Sequence, residues 1–183
     1  MKYKVFKFFF DFEKEENWVN QMASRGMNYV SYSPLGKYYF EEGIPGEYIY
    51  RFELLEEIPS SPANISYIKF MEETGAECVS TYMRWAVFRK KASQGAFNLY
   101  SDYDSKIKHY ERIVKLLGWV WFLNLSAAIL NVTLGLIMGE KYGVYFNLFI
   151  SVISWSIVII FIPILVSYSR RMNKLKKDKQ IYG

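Results

Sequence analysis

The chain is poor in the residues that build reactive centres. It has one cysteine, Cys78, and one histidine, His109, in 183 residues. A single cysteine excludes an internal disulfide framework and any multi-cysteine metal site, and a single histidine excludes a histidine-rich one. Cys78 reads as a small apolar strand residue, and His109 as a solvated surface residue. There is no glycine-rich phosphate loop and no G-x-S-x-G nucleophile elbow. Acids gather at Glu72, Glu73 and Glu77, and again at Asp102, Asp104 and Glu111 beside Lys106 and Lys108. Such groups read as solvated surface charge. No catalytic residue, metal or cofactor is called for, and the chain is expected not to be an enzyme. The opening "MKYKVFKFFFDFEKEE" is not expected to act as a signal peptide, because Lys4 and Lys7 interrupt its apolar run.

Charge is missing from two long stretches. Residues 116–139, "LLGWVWFLNLSAAILNVTLGLIMG", contain none in 24 positions, and residues 142–169 contain none in 28. A membrane-spanning helix needs about 20 predominantly apolar residues. Both runs are therefore read as transmembrane helices, joined by a very short turn at Glu140 and Lys141 into a hairpin. The near-neutral mean hydropathy of −0.03 conceals this split.

The basic residues are also unevenly placed. Residues 1–113 hold 15 Lys and Arg against 16 Asp and Glu, whereas residues 114–183 hold 8 and 2. Lys106, Lys108, Arg112 and Lys115 precede the first run, and Arg170, Arg171, Lys174, Lys176, Lys177 and Lys179 follow the second. The positive-inside bias places both termini in the cytoplasm of a two-pass protein of the cell membrane. Arg170, Arg171, Lys174, Lys176 and Lys177 then form a cytoplasmic anchor for lipid headgroups. Trp119 and Trp121 join them as interfacial anchors. Nucleic acid is not an expected partner, since the bases do not cover a folded face. Asn124 and Asn131 share one helix face, as do Asn147, Ser151 and Ser154. Both sets are candidates for interhelical hydrogen bonds. No Asp, Glu, Lys, Arg or His lies within either run, which disfavours a transport pathway.

Residues 1–100 read as a cytoplasmic α+β domain. "YKVFKFFF", "MNYVSYS", "KYYFEE" and "GEYIYRFELL" are strand-like, and "ECVSTYMRWAVFRKK" is one long strand or a hairpin. Asp11 and Ser61 are helix N-caps, the second with Pro62 at the first position. In "EYIYRFEL", Tyr48, Tyr50, Phe52 and Leu54 face a core or ligand, and Glu47, Ile49, Arg51 and Glu53 face mostly solvent. The order predicts a ferredoxin-like split β-α-β arrangement with extra strands. Tyr, Phe and Trp make up 19% of the chain. Trp18, Tyr38, Tyr48, Tyr50, Phe52 and Trp85 are candidates to line a cavity for a flat apolar ligand.

Residues 101–115 read as an amphipathic helical stalk that Ser101 caps and that continues into the first span. Tyr103, Ile107, Tyr110 and Leu117 form its stripe, suited to packing on the sheet or to a dimer seam. The segments are thus 1–100, 101–115, 116–139, 142–169 and a basic tail, 170–183.

Several motifs in order, "FFFDFEKEENWVNQMASRGM", "PGEYIYRFELL", "FMEETGAECV", "RWAVFRKKASQG" and "SDYDSKIKHYERI", resemble the bacterial family catalogued as domain of unknown function 2812. The resemblance covers roughly residues 4–113. It implies a small membrane protein of Firmicutes, often encoded beside a PadR-type repressor, and it implies no catalytic residues. In "STYMRWAVF", Tyr82 and Met83 stand where that pattern leads one to expect smaller residues such as glycine. The sequence thus points to a membrane-anchored, non-enzymatic regulatory or sensory module. Its cytoplasmic domain would bind a partner protein, a second copy or an apolar ligand. The alternative is an accessory subunit of a membrane transporter.

Overall fold

The structure is a computed structural model and describes residues 2–182. It divides into two compact units, Met1–Ser101 and Asp102–Gly183.

Unit 1 contains β1 (Lys2–Phe6), α1 (Phe12–Ala23), β2 (Met27–Ser33), β3 (Lys37–Glu42), β4 (Tyr48–Leu54), α2 (Pro62–Glu73), β5 (Glu77–Tyr82) and β6 (Trp85–Lys91). The strands form two three-stranded sheets, ordered β1-β3-β2 and β4-β6-β5, in which neighbours are antiparallel. In each sheet the first two strands therefore run parallel, with the third inserted between them. Each is a split β-α-β. The α+β class and the split motif expected from the sequence are both present, and the extra strands belong to a second copy of the motif.

The copies correspond in detail. Asp11 caps α1 by accepting from the Glu13 and Lys14 amides, and Ser61 caps α2 by accepting from the Asn64 amide. Gly26 and Gly75 follow the helices at φ 80° and 88°, a region open to glycine without steric cost. The sequences then run Gly26-x-x-x-Val30-Ser31 and Gly75-x-x-x-Val79-Ser80. Val30 and Val79 are each the extra residue of a β-bulge, because pairing steps from Tyr29 to Ser31 and from Cys78 to Ser80. The hairpin turns that follow hold Leu35 at φ 67° and Met83 at φ 54°. Met83 thus occupies a left-handed position that glycine adopts more easily.

Two apolar clusters fill unit 1. Val19 and Ala23 of α1 pack with Tyr29, Tyr38, Phe40, Tyr50, Phe52 and Val87. Met71 of α2 packs with Leu55, Ala76, Ala86, Phe88 and Phe97. Strand β4 lies at a sheet edge, where unpaired backbone groups need partners. Helix α1 supplies them. The Asn20 amide donates to the Tyr50 carbonyl at 3.0 Å and accepts from the Tyr50 N–H at 2.8 Å. One turn earlier, Glu16 accepts from the Phe52 N–H at 2.8 Å and pairs with Arg51 at 3.1 Å.

Glu53 departs from the alternation expected of its strand. It is buried rather than solvated, and the Tyr67 hydroxyl of α2 donates to it at 2.7 Å.

Unit 2 is a pair of helices, α3 (Tyr103–Tyr142) and α4 (Phe146–Tyr182). At 1.5 Å per residue they are about 60 and 55 Å long. The cap of α3 is Asp102, one residue later than expected, and it accepts from the Ser105 amide at 2.8 Å. Gly143 ends α3 in the left-handed region at φ 68°. The turn is therefore Gly143–Tyr145. Glu140, Lys141 and Tyr142 are still helical, and the second helix starts at Phe146 rather than at 142. Small residues let the helices approach. A Cβ on Gly135 would lie 2.7 Å from Leu148, and one on Gly139 would strike the Tyr145 ring. Gly135 and Gly139 form a G-x-x-x-G pair.

Candidate functional site

Strands β2 and β5, the second strands of the two copies, lie side by side in unit 1. Tyr29 and Ser80 share a hydrogen bond across them at 2.9 Å, and the rings of Tyr32 and Tyr82 meet edge to face at 5.0 Å. Beside this junction is a cavity of about 240 Å³. Its walls come from both copies: Glu15, Tyr29, Tyr32 and Tyr38 from the first, and Phe52, Ser80, Tyr82, Trp85 and Val87 from the second. Phe8, Phe9 and Met83 complete it. Ligand cavities are typically about 300–1,000 Å³, so this one suits a compact ring system.

Glu15 is the one acid in the lining, and the lining has no base. Its carboxyl is mostly buried, and the Tyr38 hydroxyl donates to Oε1 at 2.7 Å. Burial pushes its pKa up from 4.5 to about 7, against the opposing pull of the Tyr38 hydrogen bond. Tyr29 and Tyr38 are raised too, chiefly by burial, and stay neutral.

Three of the six aromatic residues anticipated at a ligand site, Tyr38, Phe52 and Trp85, line this cavity. The others lie elsewhere. The ring of Trp18 stacks edge-on against Tyr38 and Phe40, at 4.9 and 5.5 Å. Tyr50 is fully buried in the first apolar cluster. Tyr48 lies under the Arg89 guanidinium at 4.3 Å. Sequence reasoning did not single out Glu15, Tyr29, Tyr32 or Tyr82. Position four of an amphipathic helix was the available signal for Glu15, and Val-Ser repeated after a glycine was the signal for the facing strands.

The acidic group near the end of α2 lies at the surface, as its sequence suggested. Glu72, Glu73 and Glu77 are exposed, and Glu77 makes a bidentate pair with Arg89 at 2.8 and 2.9 Å.

In unit 2 the basic end of α4 is helical and turned partly toward α3. Lys176 pairs with Glu111 at 2.7 Å, and Lys179 with Asp104 at 2.6 Å. The Arg171 guanidinium lies 5.5 Å from the Tyr168 ring. Arg170, Lys174 and Lys177 are exposed. Trp119 is 64% exposed on the outer face of α3, and Trp121 is half-buried. Tyr110 of the expected stripe meets Tyr168, in the second of the expected transmembrane helices, at 6.2 Å. His109 is buried, at 1% exposure, rather than solvated. Burial, with the nearby Arg112 charge, pushes its pKa down to about 3. Asn124 and Asn131 donate to the carbonyls of Val120 and Ala127 on their own helix. Both helices are long and apolar enough to be candidate membrane spans.

A family model described as "Protein of unknown function (DUF2812)" matches residues 11–122. The chain belongs to the DUF2812 family. The match opens at the Asp11 cap, takes in Glu15 and the strands that wall the cavity, and ends inside α3 at Phe122. The matched residues thus include all of the cavity lining except Phe8 and Phe9, together with the start of the first apolar helix. No curated protein and no solved structure matches the chain.

Proposed function

We propose that this DUF2812 protein is a membrane-anchored, non-enzymatic sensory module whose unit 1 takes a compact aromatic ligand. One observation carries the reading. An aromatic-walled cavity is assembled from both copies of the split β-α-β, in a chain whose second unit is a pair of long apolar helices. The exposed apolar faces of α3 and α4 are lipid-facing in this reading, and the bases on either side of the hairpin hold both termini in the cytoplasm. A PadR-type repressor is the output partner that the family resemblance brings to this proposal. The accessory-subunit alternative draws no support from Asn124 and Asn131, whose amides are engaged within their own helix.

The full chain in neutral detergent is titrated with small aromatic compounds while tryptophan emission is followed. Saturable quenching that Trp85→Phe reduces is the expected outcome. Absence of saturable quenching with every compound overturns the reading. For topology, a fluorescent protein fused after Gly183 is expected to be bright, and alkaline phosphatase at the same position inactive. The reverse pattern overturns the cytoplasmic assignment.

A further inference from the structure

We propose that the cavity of unit 1 selects a flat organic cation, such as an aromatic quaternary ammonium compound, with the Glu15 carboxylate as its counter-ion. The proposal rests on the reading of this cavity as a ligand site and adds the charge of the ligand.

The argument is one of complementarity. A buried carboxylate is costly unless something positive or hydrogen-bonding faces it. The neighbouring Glu16 has both, with Arg51 at 3.1 Å and the Phe52 amide at 2.8 Å. Glu15 accepts from the Tyr38 hydroxyl, and among the described residues no base pairs with it. The missing positive charge has room to enter, because Glu15 opens onto the cavity. The rest of the wall decides what kind of cation fits. Tyr29, Tyr32, Tyr82 and Trp85 present ring surfaces, which attract a cation and also bury an apolar body. A hydrated metal ion gains little from such walls. A neutral ring makes no use of Glu15, and an anion is repelled by it. The volume of about 240 Å³ suits two fused rings.

Binding of a cation also removes the proton that burial places on Glu15. Proton release on binding is therefore a readout that a neutral ligand does not produce.

Three probes of similar shape separate the possibilities: N-methylquinolinium, neutral 1-methylnaphthalene and 2-naphthoate. Each is titrated at neutral pH into the full chain in neutral detergent, by tryptophan quenching and by calorimetry in two buffers of different ionisation enthalpy. N-methylquinolinium is expected to bind about tenfold tighter than 1-methylnaphthalene, with release of protons, and naphthoate weakest. Glu15→Gln keeps an acceptor for Tyr38. It is expected to erase the tenfold difference and the proton release while leaving 1-methylnaphthalene binding unchanged. Equal affinity of the wild type for 1-methylnaphthalene and N-methylquinolinium overturns the cation proposal and leaves the ligand-site reading standing. A wild-type preference for the cation that survives in Glu15→Gln also overturns it. Failure of all three probes overturns both.

Discussion

In unit 1 most of the large aromatic residues point inward, with Phe6, Phe8, Phe10 and Phe70 the exposed exceptions. Phe40, Tyr50 and Phe88 are fully buried, and the backbone of the exposed edge strand is occupied by Asn20 and Glu16. In the hairpin the pattern is largely reversed, with Val158 and Tyr168 among the buried exceptions. Trp119 and Phe149 are 64% and 74% exposed, whereas Ala128, Gly135, Gly139, Ser151 and Ser154 are buried between the helices. Water drives the first arrangement, since apolar area leaves it at about 25 cal/mol per Å². It cannot drive the second if lipid surrounds the helices, and close contact between small residues takes over. The same residue types thus follow opposite rules within one chain.

This contrast can be broken at its polar end. Asn20→Leu leaves the Tyr50 N–H without its partner, whereas the Tyr50 carbonyl keeps the Arg51 guanidinium at 3.0 Å. A loss of about 1–3 kcal/mol is expected for the one unsatisfied group. Hydrogen exchange in peptides from residues 2–101 would rise, and exchange in the hairpin would not. Equal acceleration in both units would show that they do not unfold separately.

Acid sharpens the contrast, because the two units are expected to respond with opposite sign. Glu15 has a folded pKa of about 7 against 4.5 unfolded. Its contribution is full below 4.5 and is lost as pH rises toward 7, over a range worth about 3 kcal/mol. His109 is depressed from 6.5 to about 3, so its contribution is present above 6.5 and lost as pH falls toward 3. Peptide-resolved exchange between pH 4.5 and 7 should show unit 1 tightening on acidification while the His109 segment loosens. Glu15→Gln should reduce the first slope and leave the part due to Glu16, whose pKa burial also raises, and His109→Phe should remove the second.

A smaller effect tests the apolar end. Gly135→Leu inserts a side chain where even a Cβ lies 2.7 Å from Leu148. Overpacking of this kind costs about 1–3 kcal/mol. Titration with a denaturing detergent reports the change: the midpoint for separation of α3 and α4 should fall in the variant. An unchanged midpoint would place the contact outside the forces that hold the hairpin.

Much of this was legible in the sequence, for identifiable reasons. Charge-free runs of 24 and 28 residues are too long for a domain of this size to bury, so the hairpin was evident. Asp11, Ser61 and Pro62 marked both helix starts in unit 1, because capping is local chemistry. What escaped depends on contacts distant in the chain. The turn at Gly143 was placed too early because Glu140 and Lys141 are charged, although a charged pair sits readily in a last helical turn and a glycine ends it. His109 looked like a surface residue among Lys108, Glu111 and Arg112. Its burial follows from the fold around it and not from its neighbours in sequence. Tyr48, Tyr50 and Phe52 share a strand face, yet only Phe52 reaches the cavity. Periodicity identifies a face but not which part of it is filled. The duplication was hidden because the copies share little beyond Gly-x-x-x-Val-Ser.

Glu15 is the fourth residue of α1, and Ile65 is the fourth residue of α2. A homodimer of single motifs must carry every change on both sides of its axis at once. Once the two halves are fused into one polypeptide, a mutation alters one side alone. A lone negative charge can then persist opposite an uncharged counterpart, and the preference of the chamber can drift by single steps.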